Sequence, residues 1–211
     1  MNEIWLFKSN AGILNKKSTF FNLYGNYDYL SEGYYKSVEF YIDGLNVHPT
    51  PEECLDAYIV GIAVEKAKKE GIDVPPCVIA TSHTKIDHFP LLGYSMNPFS
   101  KISTIIESEN ELSYKMKTLT LSDKYFALLQ KLPKADYRID TIRIILGRTQ
   151  IPEYKEIAQK IFKVFKIPLM KVKIIVTLDS YLFSAIEPLP YESLSINEKK
   201  LLEKMGKWQR K

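Results

Sequence analysis

Glycine is scarce in this 211-residue chain, with nine in all, and so are cysteine, with two, and histidine, with three. Each scarcity closes off a class of chemistry. A phosphate loop needs Gly-x-x-x-x-Gly-Lys followed by Ser or Thr, and no glycines here are so arranged. The triple-glycine turn of a dinucleotide fold is missing too, since Gly25 and Gly33 are too far apart and Gly12 stands alone. There is no Gly-x-Ser-x-Gly elbow for a serine nucleophile. Cys54 and Cys77 share no metal-ligand spacing with His48, His83 and His88, so the four clustered ligands of a zinc site are not supplied. Cys77 falls in an apolar run and reads as inert core. No catalytic residue, metal or cofactor is therefore expected, and two buried free thiols suit a reducing compartment. No apolar stretch approaches the 18 residues of a membrane span, and Glu3 argues against a signal peptide. The expectation is a soluble cytoplasmic protein with no membrane partner.

Against these shortages stand 14 tyrosines and 10 phenylalanines. A tyrosine packs its ring and keeps its hydroxyl wet, which suits partner or ligand surfaces as well as a half-buried core. Apolar residues make up 45% and charged residues 26%, the balance of a globular chain. The formal net charge of +4 is uneven. Residues 1–150 hold 17 basic and 18 acidic side chains, and residues 151–211 hold 12 and 7. Lys199, Lys200, Lys204, Lys207, Arg210 and Lys211 face only Glu203 at the end of the chain. That tip either complements the negative end of a helix dipole or makes a nucleic-acid footprint.

Element signals point to an α/β fold: an N-terminal strand–helix alternation of Rossmann-like type, then a smaller α+β portion. Glu3–Phe7 and Thr19–Leu23 read as strands around a Ser9–Gly12 turn. Ser31 caps a helix to Tyr41, and Asp43-Gly44 closes it. Leu45–His48 is a strand, and Pro51–Glu70 one amphipathic helix on Leu55, Ile59, Ile62, Ala63 and Lys66, stopped at Gly71. Cys77–Thr81 completes what reads as a parallel layer. Between 82 and 125 the pattern is broken, with Ile102–Ile106 and Tyr114–Thr120 reading as strands or as one irregular excursion, and Tyr125–Leu129 is apolar without a period. Arg138–Leu146 is a strand, Pro152–Phe165 an amphipathic helix, and Lys171–Thr177 with Tyr181–Ile186 a hairpin. Ser195 and Glu198 make a capping box for a last helix to about Trp208. A soft boundary falls near residue 80, giving 1–80 and 81–211, unless the chain is one continuous domain.

Phe40–Val47, with Asp43, looks like the acidic start of a metal-dependent nuclease, but the further strand-end acids such a site needs are not matched by Asp56 or Asp87. The more informative stretch is Asn22–Ser37. There a strand end feeds a polar, aromatic loop into a helix N-terminus, where free N–H groups and the dipole favour anions. Asn22, Tyr24, Tyr27, Tyr29, Ser31, Tyr34 and Tyr35 are the candidate ligand- or partner-binding residues, and a structural Tyr-rich loop is the plain alternative. Arg148, just before a helix, is a further candidate for a carboxylate or phosphate. Tyr27→Ala or Tyr34→Ala is then expected to weaken binding and leave the chain folded.

The same stretch carries a resemblance. Asn22-Leu23, then Tyr29-Leu30-Ser31-Glu32-Gly33-Tyr34-Tyr35-Lys36-Ser37, followed by Asn46-Val47-His48-Pro49-Thr50, resembles the start of the domain found in front of RimK-like ATP-grasp ligases. Leu146-Gly147-Arg148-Thr149 and the run Ile161–Leu169 are similar more loosely. Family members usually continue into an ATP-grasp module that holds nucleotide and magnesium and performs ligation. This chain reaches Lys211 without a phosphate loop or an acidic magnesium cluster, so the resemblance implies a stand-alone, non-catalytic module. It would recognise a peptide or amino-acid substrate, or dock an ATP-grasp ligase in trans. Two rival readings remain open. One is an RNA-associated factor contacting nucleic acid through Lys199, Lys200, Lys204, Lys207 and Arg210, and the other an enzyme with a dispersed site drawn from Asp28, Glu32, His88, Lys124 and Arg148.

Overall fold

A computed structural model describes residues 4–7, 19–205 and 207–208. The expected Ser9–Gly12 turn lies outside the described residues. Strands β1 (Ile4–Phe7), β2 (Thr19–Asn22) and β3 (Asn46–His48) are joined by β11 (Lys207–Trp208) in a sheet of order β11-β1-β2-β3, with every pair parallel. Parallel neighbours need a crossover, and β2 reaches β3 through helix α1 (Glu32–Ile42). α1 forms where Ser31 accepts the Tyr34 N–H on its side chain at 3.2 Å with Glu32 in the first turn. It stops because Gly44 adopts φ +74° and the Leu45 and Gly44 N–H groups close back on the Phe40 and Tyr41 carbonyls. Its buried stripe is Gly33, Ser37 and Phe40, and Phe40 packs with Phe20 and Val47 of the sheet.

The expected helix over 51–70 is two helices, α2 (Pro51–Tyr58) and α3 (Val60–Lys69), with Ile59 extended between them. The large apolar residues misstate the buried stripe of α3, which is Gly61, Ala63, Val64 and Ala67, with Ile62 exposed. A Cβ at Gly61 would stand 2.7 Å from the Met96 methyl, so the flexible Met96 side chain would have to shift to admit it. Strand β4 (Cys77–Ala80) does not extend the parallel layer. It pairs antiparallel with β7 (Ala127–Lys131) in a second sheet, of order β4-β7-β5-β6 with β5 (Leu91–Ser95) and β6 (Ser103–Ile106). β7 is central and buried on both faces, so its sequence shows no alternation.

Helix α4 (Glu109–Thr120) replaces the strand-like run at 114–120. The alternation Tyr-Lys-Met-Lys-Thr-Leu-Thr imitates a strand, but Met116, Leu119 and Thr120 bury at helical spacing and Glu111 pairs with Lys115 one turn on, at 2.6 Å. β8 (Arg138–Ile145), β9 (Leu169–Val176) and β10 (Tyr181–Pro188) form a third sheet of order β10-β9-β8. Between β8 and β9 lies α5 (Lys155–Phe165), and after β10 comes α6 (Ile196–Met205). α6 ends at Met205, short of Trp208, and Lys207–Trp208 instead pairs with Trp5 and Leu6 as a strand.

Two compact units divide the chain: Met1–Tyr58 with Ile142–Val172 and Ile186–Lys211, and Ile59–Thr141 with Lys173–Ala185. Residue 80, at the end of β4, falls inside the second. The first unit is built on Phe21, Leu23, Ile145, Leu146, Leu169, Leu189, Leu194 and Leu202. The second is built on Ala80, Leu91, Ile106, Met116, Leu119, Ala127 and Leu129. Among the described residues no helix is long and apolar enough to cross a membrane.

Candidate functional site: a cleft at the end of strand β2

β2 delivers Asn22 to the root of the loop that precedes α1. The Asn22 side chain is buried, and its amide donates to the Gly33 carbonyl and the Ser37 hydroxyl, both at 2.9 Å, while its oxygen accepts the Tyr24 N–H at 3.1 Å. Five residues on, Tyr27 turns its ring fully inward and donates its hydroxyl to the Asn22 carbonyl at 2.5 Å. The Tyr27 ring meets Tyr58 edge-on at 6.2 Å, and burial pushes both phenols well above their ordinary value. Asn22 and Tyr27, expected on a binding surface, thus form the frame beneath it.

Two glycines draw the backbone around this frame. Gly25 sits at φ +75°, and a Cβ there would lie 2.0 Å from the Leu189 carbonyl oxygen. The Leu189 N–H bonds the Gly25 carbonyl at 2.8 Å, and the Tyr191 N–H reaches the Tyr24 carbonyl at 3.4 Å. A Cβ on Gly33 would lie 2.2 Å from the Asn26 carbonyl oxygen. The loop therefore runs hard against both the start of α1 and the 189–191 segment. Where they meet is a cleft of about 490 Å3, lined by Tyr24, Asn26, Glu32, Gly33, Pro190 and Glu192.

The helix end is already served by Ser31, which accepts the Tyr34 N–H and donates its hydroxyl to the Asn26 carbonyl at 2.9 Å. Among the described residues, Glu32 and Glu192 line the cleft and no basic side chain does. Burial first, and then the neighbouring Glu32 carboxylate, raises the Tyr24 phenol above its ordinary value, so its hydroxyl stays protonated. The nearby ammonium of Lys36 is held 2.6 Å from Glu39.

Of the other aromatic candidates, Tyr29, Tyr34 and Tyr35 stand outside the cleft lining. They form an edge-to-face series, with 5.5 Å between the Tyr29 and Tyr34 rings and 6.3 Å between Tyr34 and Tyr35. Tyr29 and Tyr35 are 42% and 56% exposed. Arg148 is exposed on a turn after β8, its backbone exchanging hydrogen bonds with Ile145 at 2.8 and 2.9 Å. Of the basic tip, Lys199 lies over the Tyr191 ring at 5.3 Å, and Lys200 and Lys204 are exposed on α6. The Lys207 backbone pairs in β11, and Arg210 lies outside the described residues.

Residues the sequence reading passed over line the cleft: Asn26, Pro190 and Glu192, with Gly33 beside them. The two glycines were a local signal, because each stands where the loop must touch backbone. Nothing in the sequence brings Pro190 and Glu192 to a loop so far away in the chain.

Several other titratable groups among the described residues make structural contacts. Thr50 and Glu53 form a reciprocal capping box at the start of α2, where Glu53 also meets His48 at 2.8 Å and Lys166 at 3.3 Å. Burial pushes the Cys54 thiol up to about 12 and raises Cys77, so neither is a thiolate nucleophile. His88 bonds the Leu132 carbonyl at 2.8 Å, and exposed His83 stands 3.8 Å from Asp123. Asp43 of the nuclease-like string is the C-terminal cap of α1. Among the described residues no group of three or more carboxylates, imidazoles and thiols comes together, so these residues do not fit a magnesium ion.

Comparison with known proteins agrees on the fold. The D-alanine–D-alanine ligase of Bacillus anthracis superposes with a TM-score of 0.62 at 15% identity, covering 88% of this chain and 74% of the ligase. A RimK domain ATP-grasp protein of Sphaerobacter thermophilus superposes with a TM-score of 0.61 at 11% identity, covering 88% and 76%. The ATP-grasp ligase PsnB, bound to a variant of its minimal precursor, Mg and ADP, gives 0.51 at 10% identity, covering 84% and 70%. At these identities the likeness is one of fold. No curated protein matches the chain by sequence. Residues 95–205 match the RimK-like ATPgrasp N-terminal domain, a segment that holds the looser strings at 146–149 and 161–169 and leaves out the Asn22–Ser37 string. With more than half of its length matched, this chain belongs to the family of RimK-like ATP-grasp N-terminal domains.

Proposed function

We propose that this chain is a non-catalytic recognition module of an ATP-grasp ligation system: it holds an amino acid or peptide in the cleft at the end of β2 and works with a ligase that supplies the nucleotide chemistry from another chain. The observation that carries the reading is the cleft itself. It lies at the carboxyl end of a parallel strand, where open α/β sheets gather ligands. Its walls are backbone fixed by the Gly25 and Gly33 approaches, so the site exists before any ligand arrives. Family membership and the ligase-like fold supply the context, since a solved neighbour of this fold carries ADP, Mg and a peptide precursor. In this reading the cytoplasm is the working compartment, where a ligase finds its ATP.

The test is recovery of tagged full-length chain from native-host lysate, with and without nuclease, followed by mass spectrometry. Nuclease-resistant recovery of an ATP-grasp protein supports the reading. Nuclease-sensitive recovery of RNA-bound proteins alone overturns it in favour of contact through Lys199, Lys200 and Lys204.

A further inference from the structure

Helix α1 carries its charges on a flank. A surface helix ordinarily turns one apolar stripe inward and its charged side chains to the opposite face. α1 buries Gly33, Ser37 and Phe40, and its charged residues Glu32, Lys36 and Glu39 follow one another at helical spacing. At about 100° per residue, that charged strip lies only about a quarter turn from the buried stripe. The outward face is apolar instead: Tyr34, Tyr35, Val38, Tyr41 and Ile42 span an arc of about 120°. Tyr35 is 56%, Tyr41 58% and Ile42 76% exposed, while Tyr34 and Val38 are half-buried.

We infer that this outward face of α1 is an interface between two copies of the chain, packed antiparallel about a two-fold axis at Val38. The stripe has the symmetry that such an axis demands. Counted from Val38, Tyr35 and Tyr41 stand three residues to either side, and Tyr34 and Ile42 stand four. The axis therefore sets Tyr35 of one copy against Tyr41 of the other, Tyr34 against Ile42, and Val38 against itself. That is an isologous contact, in which residue i meets j and j meets i. The same axis brings both charged flanks to one side. Lys36 of one copy then comes within about 1.5 Å of the level of Glu39 of the other, twice over. Glu32 and Asp43 share a level only at the two wet ends of the pair, where salt screens them. The size also fits. With about 200 Å2 for a whole tyrosine, the stripe exposes on the order of 400–500 Å2 of apolar surface. One partner of a standard interface gives about 800 Å2, a little over half of it apolar. A contact resting on one short helix belongs at the weak end, with half-association at about 10 µM or above, so unfolding at about 1 µM reads the single chain. The inference does not depend on the recognition reading, because none of these five residues lines the cleft.

The experiment is sedimentation equilibrium of the full-length chain from about 1 to 300 µM, with two charged variants. One variant combines Tyr35→Glu with Tyr41→Glu, and the other Tyr35→Lys with Tyr41→Lys; both positions are exposed, so the fold should tolerate either pair. The natural chain is expected to rise from 24.4 kDa towards twice that mass. Each variant alone should stay at 24.4 kDa, because the two-fold puts like charges face to face twice. Mixing the two variants should restore the doubled mass, since every facing pair is then opposite in charge, and that recovery also shows that both are folded. A natural chain that stays at 24.4 kDa throughout overturns the inference, and so do variants that associate as the natural chain does. Variants that stay single when mixed overturn the two-fold pairing. If the natural chain is single and the Glu variant instead loses the ATP-grasp protein recovered from lysate, the face belongs to that partner and the inference falls.

Discussion

Tyr27→Ala should destabilise the first unit severely, whereas Tyr35→Ala should hardly be felt. The Tyr27 ring is fully buried against Tyr58, and its hydroxyl bonds the Asn22 carbonyl at the root of the loop. Removing a buried ring of this size costs about 3–5 kcal/mol. The hydroxyl is separable: Tyr27→Phe keeps the ring and leaves the Asn22 carbonyl short of a buried donor, at about 1–3 kcal/mol. Against a domain stability of about 5–15 kcal/mol, the alanine variant gives up a large fraction of the whole. With a urea slope of about 2 kcal/mol per molar, the midpoint should fall by about 1.5–2.5 M for Tyr27→Ala and about 0.5–1.5 M for Tyr27→Phe. Tyr35, 56% exposed, should cost within about 0.5 kcal/mol, or about 0.25 M. Urea unfolding followed by far-UV circular dichroism reads all three. The reasoning is refuted if Tyr27→Ala shifts the midpoint no further than Tyr35→Ala, for then the ring is surface furniture, as the sequence alone suggested.

Other expectations follow from the same geometry. Burial works to raise the Glu198 carboxyl, but the Arg143 guanidinium, at 2.7 and 2.9 Å, and the Ser195 N–H outweigh it and hold the carboxyl below its ordinary value. Its contribution to stability is therefore present above the unfolded carboxyl pKa of about 4.3 and lost as pH falls through the folded value. Arg143→Ala should cost about 1–3 kcal/mol at neutral pH and flatten that acid dependence, which thermal melts between pH 3 and 7 would show. Gly25→Ala forces a Cβ to 2.0 Å from a carbonyl oxygen at positive φ, so it should cost more than about 1–2 kcal/mol and abolish tripeptide binding, as read by melting and by amide shifts. Cys54, with its thiol pushed up to about 12, should be alkylated by iodoacetamide at pH 8 about a thousandfold more slowly in the folded chain than in urea, as timed by mass spectrometry. Equal rates would mean that the thiol is not buried as described.

Local punctuation was the most legible part of this sequence. Ser31, Glu32 and Gly44 mark α1 at both ends, and the Ser195–Glu198 box forms reciprocally, Ser195 N–H to carboxylate at 2.7 Å and Glu198 N–H to hydroxyl at 3.3 Å. Thr50-Pro51-Glu52-Glu53 carries the same signature and makes the same box, a signal that was present and passed over. Pattern reading failed where small residues do the burying, as on α3, and where a helix mimics period two, as on α4. It failed again at β4, because nothing local says whether an apolar run pairs in parallel with β3 or antiparallel with β7. The aromatic loop was rightly singled out as a place of interest, yet its side chains divide by burial: Asn22 and Tyr27 go under, Tyr24 lines the cleft, and Tyr29 and Tyr35 face outward. Sequence gives residue type and spacing along the chain, but not which side of a loop is wet. Glu192 is the clearest case, since its place in the cleft depends on the backbone pairing of residues 189 and 191 with residues 24–25.

The measurement that bears most directly on the central claim is ADP formation from Mg-ATP in the presence of an equimolar tripeptide library, by the purified full-length chain alone and after addition of the ATP-grasp protein that it recovers from lysate. A non-catalytic recognition module predicts no peptide-dependent ADP from the chain alone, and an increase over the ligase alone when the two are combined that is lost with Gly25→Ala, which closes the backbone approach at the cleft. Peptide-dependent ADP release by the chain alone would contradict the account and make this protein a ligase in its own right.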